Sequence, residues 1–269
     1  MTAQTLLQLA RGVLDTAGPR DKAAAAREAA RLWRAGDVAL GEAVAAPDRP
    51  ARPDEPVGVP PGKVPRRRLN SLAGRSALMH AIAHIEFNAI DLAFDMVVRF
   101  ARDPLIADAE RDAFVTDWIG VGDDEARHFT MVADRLETMD CHYGALPAHD
   151  GLWDAARATS GSLPARLAVA PLVLEARGLD VTPGMIDRLV SAGDAGSADI
   201  LRVIYEEEIG HVAAGARWFR RVCDKLGVDP APHFQTLVSQ YFKGNLKPPF
   251  NSQARAQAEL PAEYYAPLA

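Results

Sequence analysis

Cysteine is nearly absent. Cys141 and Cys223 are the only two in 269 residues, and no Cys-x-x-Cys pair exists. A disulfide scaffold is therefore not expected, and a reducing cytoplasm is the compartment that fits best. Long apolar runs are missing too: none approaches the ~18 residues needed to span a membrane. The opening Met1-Thr2-Ala3-Gln4 shows no basic segment followed by an apolar one, so no signal peptide is expected. Positive charge is not in excess. The net charge is −6 and the pI about 5.7, so a broad basic surface for nucleic acid is not expected.

What is present is ordinary for a globular protein. The chain is 48% hydrophobic and 25% charged, enough to bury a sizeable core. Residues from Thr5 to Val44 are rich in Ala and Leu, and they read as two short helices split near Gly18-Pro19. Asp21 is the expected cap of the second helix and Gly36 its stop. Seven prolines (Pro47, Pro50, Pro53, Pro56, Pro60, Pro61 and Pro65) then exclude helix and sheet interior and predict an extended strap. Arg66-Arg67-Arg68 closes the strap and reads as a solvated or salt-bridged cluster, with an anionic or RNA contact as the alternative.

Four long helices follow. The first runs from Ser71 to Arg102, with Leu78, Ile82, Ile85, Ala89, Leu92, Met96 and Phe100 as its buried stripe. Glu86 falls inside that stripe, where a bare carboxylate costs several kcal/mol unless paired, protonated or metal-bound. His80, His84 and Asp91 lie about 140° away, and read as hydrogen-bonded contacts between helices. The second helix, Asp108 to Met139, has the stripe Phe114, Trp118, Val121, Glu125, His128, Val132, Leu136, Met139. A polar pair thus occupies two consecutive core positions.

A connection long enough to cross a bundle follows, with a short turn near Trp153. Ser162-Leu163-Pro164 then caps a third helix running to about Leu179. Pro171 should kink it or open a bulge, and Glu175 sits among apolar neighbours. Thr182-Pro183 is read as the start of a separate short helix ending near Gly193. The fourth helix, Ser197 to Leu226, has the stripe Leu201, Ile204, Glu208, His211, Gly215, Trp218, Val222, Leu226. A last helix over Pro232–Tyr241 precedes a proline-bearing tail, expected to strap the surface.

Glu-x-x-His occurs twice, at Glu125/His128 and Glu208/His211. With 13 Glu and 7 His, roughly a third of one match arises by chance. On a helix this spacing sets carboxylate and imidazole one turn apart on the same face. Together with Glu86 and Glu175 the order is Glu, Glu-x-x-His, Glu, Glu-x-x-His, an internal repeat of spacings 39 and 33. It matches the known ligand order of ferritin-like di-iron and di-manganese carboxylate bundles. Four carboxylates supply about −4, which two divalent cations neutralise, and the mixed O/N donor set suits Fe or Mn. Glu206 and Glu207 are expected to face solvent, about 200° and 100° off the inner face. Tyr205, one turn before Glu208, is a candidate hydrogen-bond partner or electron relay, with a plain core or rim tyrosine as the alternative.

The runs Arg75-x-x-Leu78-x-His80-Ala81-Ile82-Ala83-His84-Ile85-Glu86, Asp124-Glu125-Ala126-Arg127-His128-Phe129, Leu174-Glu175-Ala176-Arg177-Gly178-Leu179-Asp180 and Tyr205-Glu206-Glu207-Glu208-Ile209-Gly210-His211 resemble a bacterial ferritin-like family known only as a domain of unknown function. The resemblance covers most of the chain and implies an all-α, ferritin-like four-helix bundle with a long crossover. The expected division is an N-terminal helical segment (1–46), a proline-rich strap (47–68), the bundle (69–244) and a tail (245–269).

The expected metal ligands are Glu86, Glu125, His128, Glu175, Glu208 and His211, binding two Fe ions or a Mn or mixed Mn/Fe pair. The expected activity is an O2-dependent oxidase or hydroxylase acting on a small molecule, served by an electron donor. A ferroxidase or peroxide scavenger, a metal-stabilised partner-binding scaffold, and a tRNA hydroxylase-like enzyme are the alternatives. The Glu-Ala-Arg of the third helix also resembles di-iron tRNA hydroxylases, from which strap and tail depart. A homo-oligomer is compatible with all of these.

Overall fold

The computed structural model describes residues 4–60, 63 and 68–269. Pro61, Pro65, Arg66 and Arg67 lie outside the described residues. Among those described the protein is all-α. The one strand-like feature there is an isolated bridge between Gly58 of the strap and Ala148. Among the described residues no helix is long and apolar enough to cross a membrane.

The two N-terminal helices are α1 (Leu6–Asp15) and α2 (Pro19–Arg34). Asp21 is not the cap of α2: Gly18 holds that position and Pro19 opens the helix. The proline's fixed φ suits the first turn, and its missing N–H is one the turn would leave unpaired anyway. α2 lies along α4 (Arg111–Glu137), tied by Arg20 to Asp134 at 2.8 Å, Arg34 to Asp123 at 2.6 Å and Trp33 Nε1 to Thr116 at 2.9 Å.

α3 (Leu72–Phe100) is the axial element. Ser71 caps it by accepting from Gly74 N at 3.2 Å. It is buried nearly all round, as a helix between two layers must be. Ile82, Glu86, Ala89 and Met96 face one side; Asn88, Asp91 and Asp95, each at most 1% exposed, face the other. This second face carries its own ion pairs. Asp91 receives Lys22 of α2 and Arg52 of the strap, while Asp95 receives Arg99 at 2.7 Å and Arg166 at 2.5 Å. Carbonyls of Pro47 and Ala51 accept from Arg99 and Lys22. The first part of the strap is thus tied to α3 and α2 through the backbone oxygens of Pro47 and Ala51.

His80 and His84 are contacts between elements, as expected. His80 Nε2 accepts from Gly144 N at 3.0 Å, and His84 bridges the Tyr143 hydroxyl at 2.9 Å and the His149 carbonyl at 3.0 Å. They fasten the crossover that joins α4 to α5 (Gly151–Ala158).

The third helical stretch comprises α6 (Leu163–Val169), a π-helical turn (Ala170–Glu175) and α7 (Ala176–Ser191). The bulge expected at Pro171 is this turn: a ring without an N–H shifts the bonds to i→i+5 spacing. No new helix begins at Thr182. α7 runs straight through Pro183, because the carbonyl that Pro183 cannot satisfy, Leu179 O, accepts from Asn251 Nδ2 at 3.1 Å.

α8 (Ala195–Leu226) packs against α4, α6, the π turn and α7, and ends at Gly227 with φ +69°. α9 (Pro230–Tyr241), α10 (Ser252–Gln257) and α11 (Ala262–Tyr265) follow. The tail is more than a surface strap: Tyr264, Tyr265 and Arg255 are buried, Arg255 holding Asp180 through two bonds of 2.9 and 2.7 Å. Two stripe positions differ from expectation. Leu226 is 42% exposed in the last turn of α8, and Ile85 is 50% exposed among the described residues.

His80 generates a pH prediction. Burial lowers its pKa from 6.5 to about 4, so the unfolded chain binds the proton more readily in that window. Stability falls as pH drops from about 6.5 towards 4. Thermal unfolding across this range should show it, and His80→Gln, which keeps a neutral acceptor, should make that part of the profile shallower, with His84, whose pKa burial also lowers to about 4, supplying the remainder. An unchanged slope in the variant would show that His80 is not the titrating group.

Candidate metal centre

Four elements deliver the polar residues to one place. Glu86 comes from α3, Glu125 and His128 from α4, Glu175 from the π turn, and Glu208 and His211 from α8. Glu86, Glu125, His128 and Glu208 each bring a ligand-type atom into a group spanning at most 4.8 Å. His211 joins through its Nδ1, 3.1 Å from Glu125 Oε1 and 3.5 Å from Glu208 Oε2. Glu175 stands at the edge, its Oε2 buried without a partner.

Glu125 is the centre. Its Oε2 lies 3.5 Å from His128 Nδ1, itself 3.3 Å from Glu86 Oε2, while its Oε1 faces His211. The carboxylate therefore divides the cluster into a Glu86/His128 half and a Glu208/His211 half. None of these approaches has hydrogen-bond geometry. Both Glu125 oxygens, His128 Nδ1, His211 Nδ1, and one oxygen each of Glu86, Glu175 and Glu208 are buried with no hydrogen-bond partner. Buried polar atoms are normally paired, so a concentration of orphans in one spot calls for a ligand.

The outward nitrogens of both histidines are engaged, and in a crossed pattern. His128 Nε2 of α4 meets Glu207 of α8 at 2.6 Å; His211 Nε2 of α8 meets Asp124 of α4 at 3.4 Å. The residue before each ligand-type Glu thus orients the imidazole of the opposite helix. Arg127 closes the brace by donating to both Glu207 and Asp124. Glu206 faces solvent as expected, but Glu207 does not. It sits at the α4–α8 seam, where a long side chain reaches across although its Cβ leaves the inner face. The signal in the sequence was the acidic residue preceding Glu in both motifs. Tyr205 is directed elsewhere, its hydroxyl accepting from Asn251 Nδ2 at 2.9 Å.

The proton positions follow from the crowding. Burial raises Glu125, but the two approaching imidazoles outweigh it and hold the carboxylate well below its ordinary range. Burial, then the charge of Glu125, push Glu86 and Glu208 upward; burial, then Glu208 and Glu125, push Glu175 upward. Burial works against the imidazolium of His128, yet Glu125 and Glu86 raise it to about 11; Asp124, Glu125 and Glu208 likewise raise His211 well above 6.5 against its burial. Without metal the cluster holds two cations, one firm anion and three carboxyls inclined to keep protons.

The π turn depends on one glycine. A Cβ on Gly215 of α8 would sit 2.5 Å from Pro171 Cβ, so the two backbones approach only because that position is bare.

Two predictions follow from this geometry. In the metal-free protein at pH 8, His128 should be an imidazolium by ring 15N NMR, and stability should decline as pH rises from about 6.5 to 11, where the folded state alone holds the proton. A neutral ring at pH 8 would place the protons on the carboxylates. Gly215→Ala should destabilise by about 1–3 kcal/mol through overpacking, against the ~1 kcal/mol that helix propensity returns. Gly120→Ala in α4, where nothing lies within 4 Å, should not destabilise; equal denaturant midpoints for both variants would rule out the close approach.

Comparison with known proteins places these residues in a wider group. An uncharacterized protein of Haemophilus influenzae is 41% identical over 208 residues, covering 77% of this chain and 72% of that protein. No solved structure matches. Residues 15–266 match the family described as protein of unknown function DUF455, and the chain belongs to that family.

Proposed function

We propose that the protein is a ferritin-like four-helix bundle of α3, α4, α6–α7 and α8 that binds two transition-metal ions, iron in the first instance, and acts as an O2-dependent oxidase or hydroxylase. The observation that carries this reading is the set of seven buried, unpartnered oxygen and nitrogen atoms on the six residues of the Glu/Glu-x-x-His repeat. Four carboxylates and two imidazoles supply charge and donor types that two divalent ions of the Fe or Mn kind satisfy.

Bound iron would supply the electrons and open coordination positions that O2 reduction requires. The chain supplies the rest. Glu125 is shared between the halves, Glu86 and His128 hold one side, and Glu208 and His211 hold the other with Glu175. Glu207 and Asp124 keep each Nδ1 turned inward by accepting a hydrogen bond from the Nε2–H. Loading displaces the cluster's protons, so metal affinity should rise with pH. The apolar lining beside the carboxylates would limit bulk water at the reaction.

The test is metal content and O2 uptake. Protein produced with iron and manganese available should carry two ions per chain, and Glu125→Ala should abolish stoichiometric binding of both. Removing either brace carboxylate, as in Glu207→Leu, should weaken binding about 10–100-fold. Reduced, iron-loaded protein should consume O2. A Glu125→Ala variant that still holds two irons would refute the ligand assignment; a loaded, reduced protein that leaves O2 untouched would refute the oxidase reading.

A further inference from the structure

The carboxylate side of the cluster is not sealed. A cavity of about 170 Å³ reaches it, walled by Glu86, Glu175 and Glu208 at its inner end. The rest of the lining is almost wholly apolar, including Ile82, Ala89, Leu92, Leu201 and Ile204. Neither histidine lines it. Ile85, which lines it, is half exposed although it occupies a stripe position of α3.

One cation stands in this lining, Arg177, with its side chain 42% exposed. Its Nη1 donates to the Lys247 carbonyl at 2.6 Å. Its carboxylate neighbour Asp180 is 3.6 Å away and is already held by two bonds from Arg255. The guanidinium therefore has charge and donors to spare.

We propose that this cavity binds a small amphipathic anion, its apolar body packed among Ile82, Ala89, Leu92, Leu201 and Ile204 and pointing towards the carboxylates, its anionic end at Arg177. The inference rests on reading the cluster as the reaction centre, since that gives the buried end of the ligand its role. Size limits the body: an apolar cavity of about 150 Å³ takes benzene, so a chain of roughly six to ten carbons fits here. A polar body would lose its hydrogen bonds to water against this lining.

Calorimetric titration of the full-length protein, as isolated, with hexanoate, octanoate and octan-1-ol tests this. Affinity should rise about fourfold per methylene until the cavity is filled, and octanoate should bind about tenfold more tightly than octan-1-ol. Gly178→Leu places bulk in the cavity at a position where a Cβ meets nothing within 4 Å. It should lower octanoate affinity at least tenfold while metal content stays at that of the parent. Ala89→Phe should do the same from deeper in the lining. Arg177→Gln should reduce octanoate to the level of octan-1-ol and leave octan-1-ol unchanged.

Two metals per chain with no binding of octanoate or octan-1-ol would overturn the cavity inference and spare the metal reading. Octanoate binding to a protein that takes no metal would do the reverse. Undiminished octanoate binding in Gly178→Leu and Ala89→Phe would place the ligand elsewhere, and an Arg177→Gln variant equal to the parent would remove the anionic end.

Discussion

Everything inside this fold is arranged around the confinement of Glu125. A fully buried carboxylate between two imidazoles, with three further carboxyls close by, is a costly thing to bury: the penalty is several kcal/mol per ion after relaxation. The imidazoles offset part of it by taking protons, but approaches of 3.1–3.5 Å without hydrogen-bond geometry leave the lone pairs unmet. In a plain core, apolar residues of similar volume would do as well or better. The occurrence of the cluster at matching positions in four elements is intelligible if ions enter it, because cations bound there would convert the mutual repulsion into coordination.

Holding so unfavourable a group requires rigid surroundings. One device is the crossed brace, in which α4 orients the imidazole of α8 and α8 that of α4, with Arg127 joining the two carboxylates. Neither histidine can turn without breaking a contact to the other helix, so the seam and the site stabilise one another. Another device is the back of α3. Asp91 and Asp95 carry ion pairs with Lys22, Arg52, Arg99 and Arg166 that bind α2, the strap and α6 to that helix. Those pairs are buried, and breaking one would leave an uncompensated charge. The N-terminal helices and strap thus fix the axis on which Glu86 is mounted.

Much of this was legible as periodicity. Glu86, Glu125, His128, Glu175, Glu208 and His211 all interrupt apolar stripes, and a stripe position is a statement about burial that needs no knowledge of partners. What escaped depended on contacts remote in sequence. Glu207 lies off the inner face by angle, yet its side chain spans the seam to His128. Pro183 reads as a helix start, because nothing local reveals that Asn251 will satisfy the Leu179 carbonyl. Ile85 belongs to the stripe but stays exposed, because periodicity says which face turns inward and not whether anything covers it. The tail gave no periodic signal, since helices of four and six residues are too short to carry one.

The same exposure of Ile85 links core to function. The cluster has two unlike sides: the histidine side is closed by Glu207, Asp124 and Arg127, all engaged with one another, and the carboxylate side meets an apolar cavity. A carboxylate can change how it coordinates more readily than an imidazole fixed at its far nitrogen. On the proposed metal-binding reading, adaptable ligands would therefore stand where a reactant would arrive, and fixed ligands on the side that is braced. The π turn extends this asymmetry. By shifting register at Pro171 it places Glu175 at the cavity's edge, and Gly215 permits the close approach that lets it do so. A regular helix through the same residues would present Glu175 at a different angle and leave the open side one carboxylate short. The local departure from regular structure and the opening of the core thus occur at the same place, where chemistry on a bound molecule would need both.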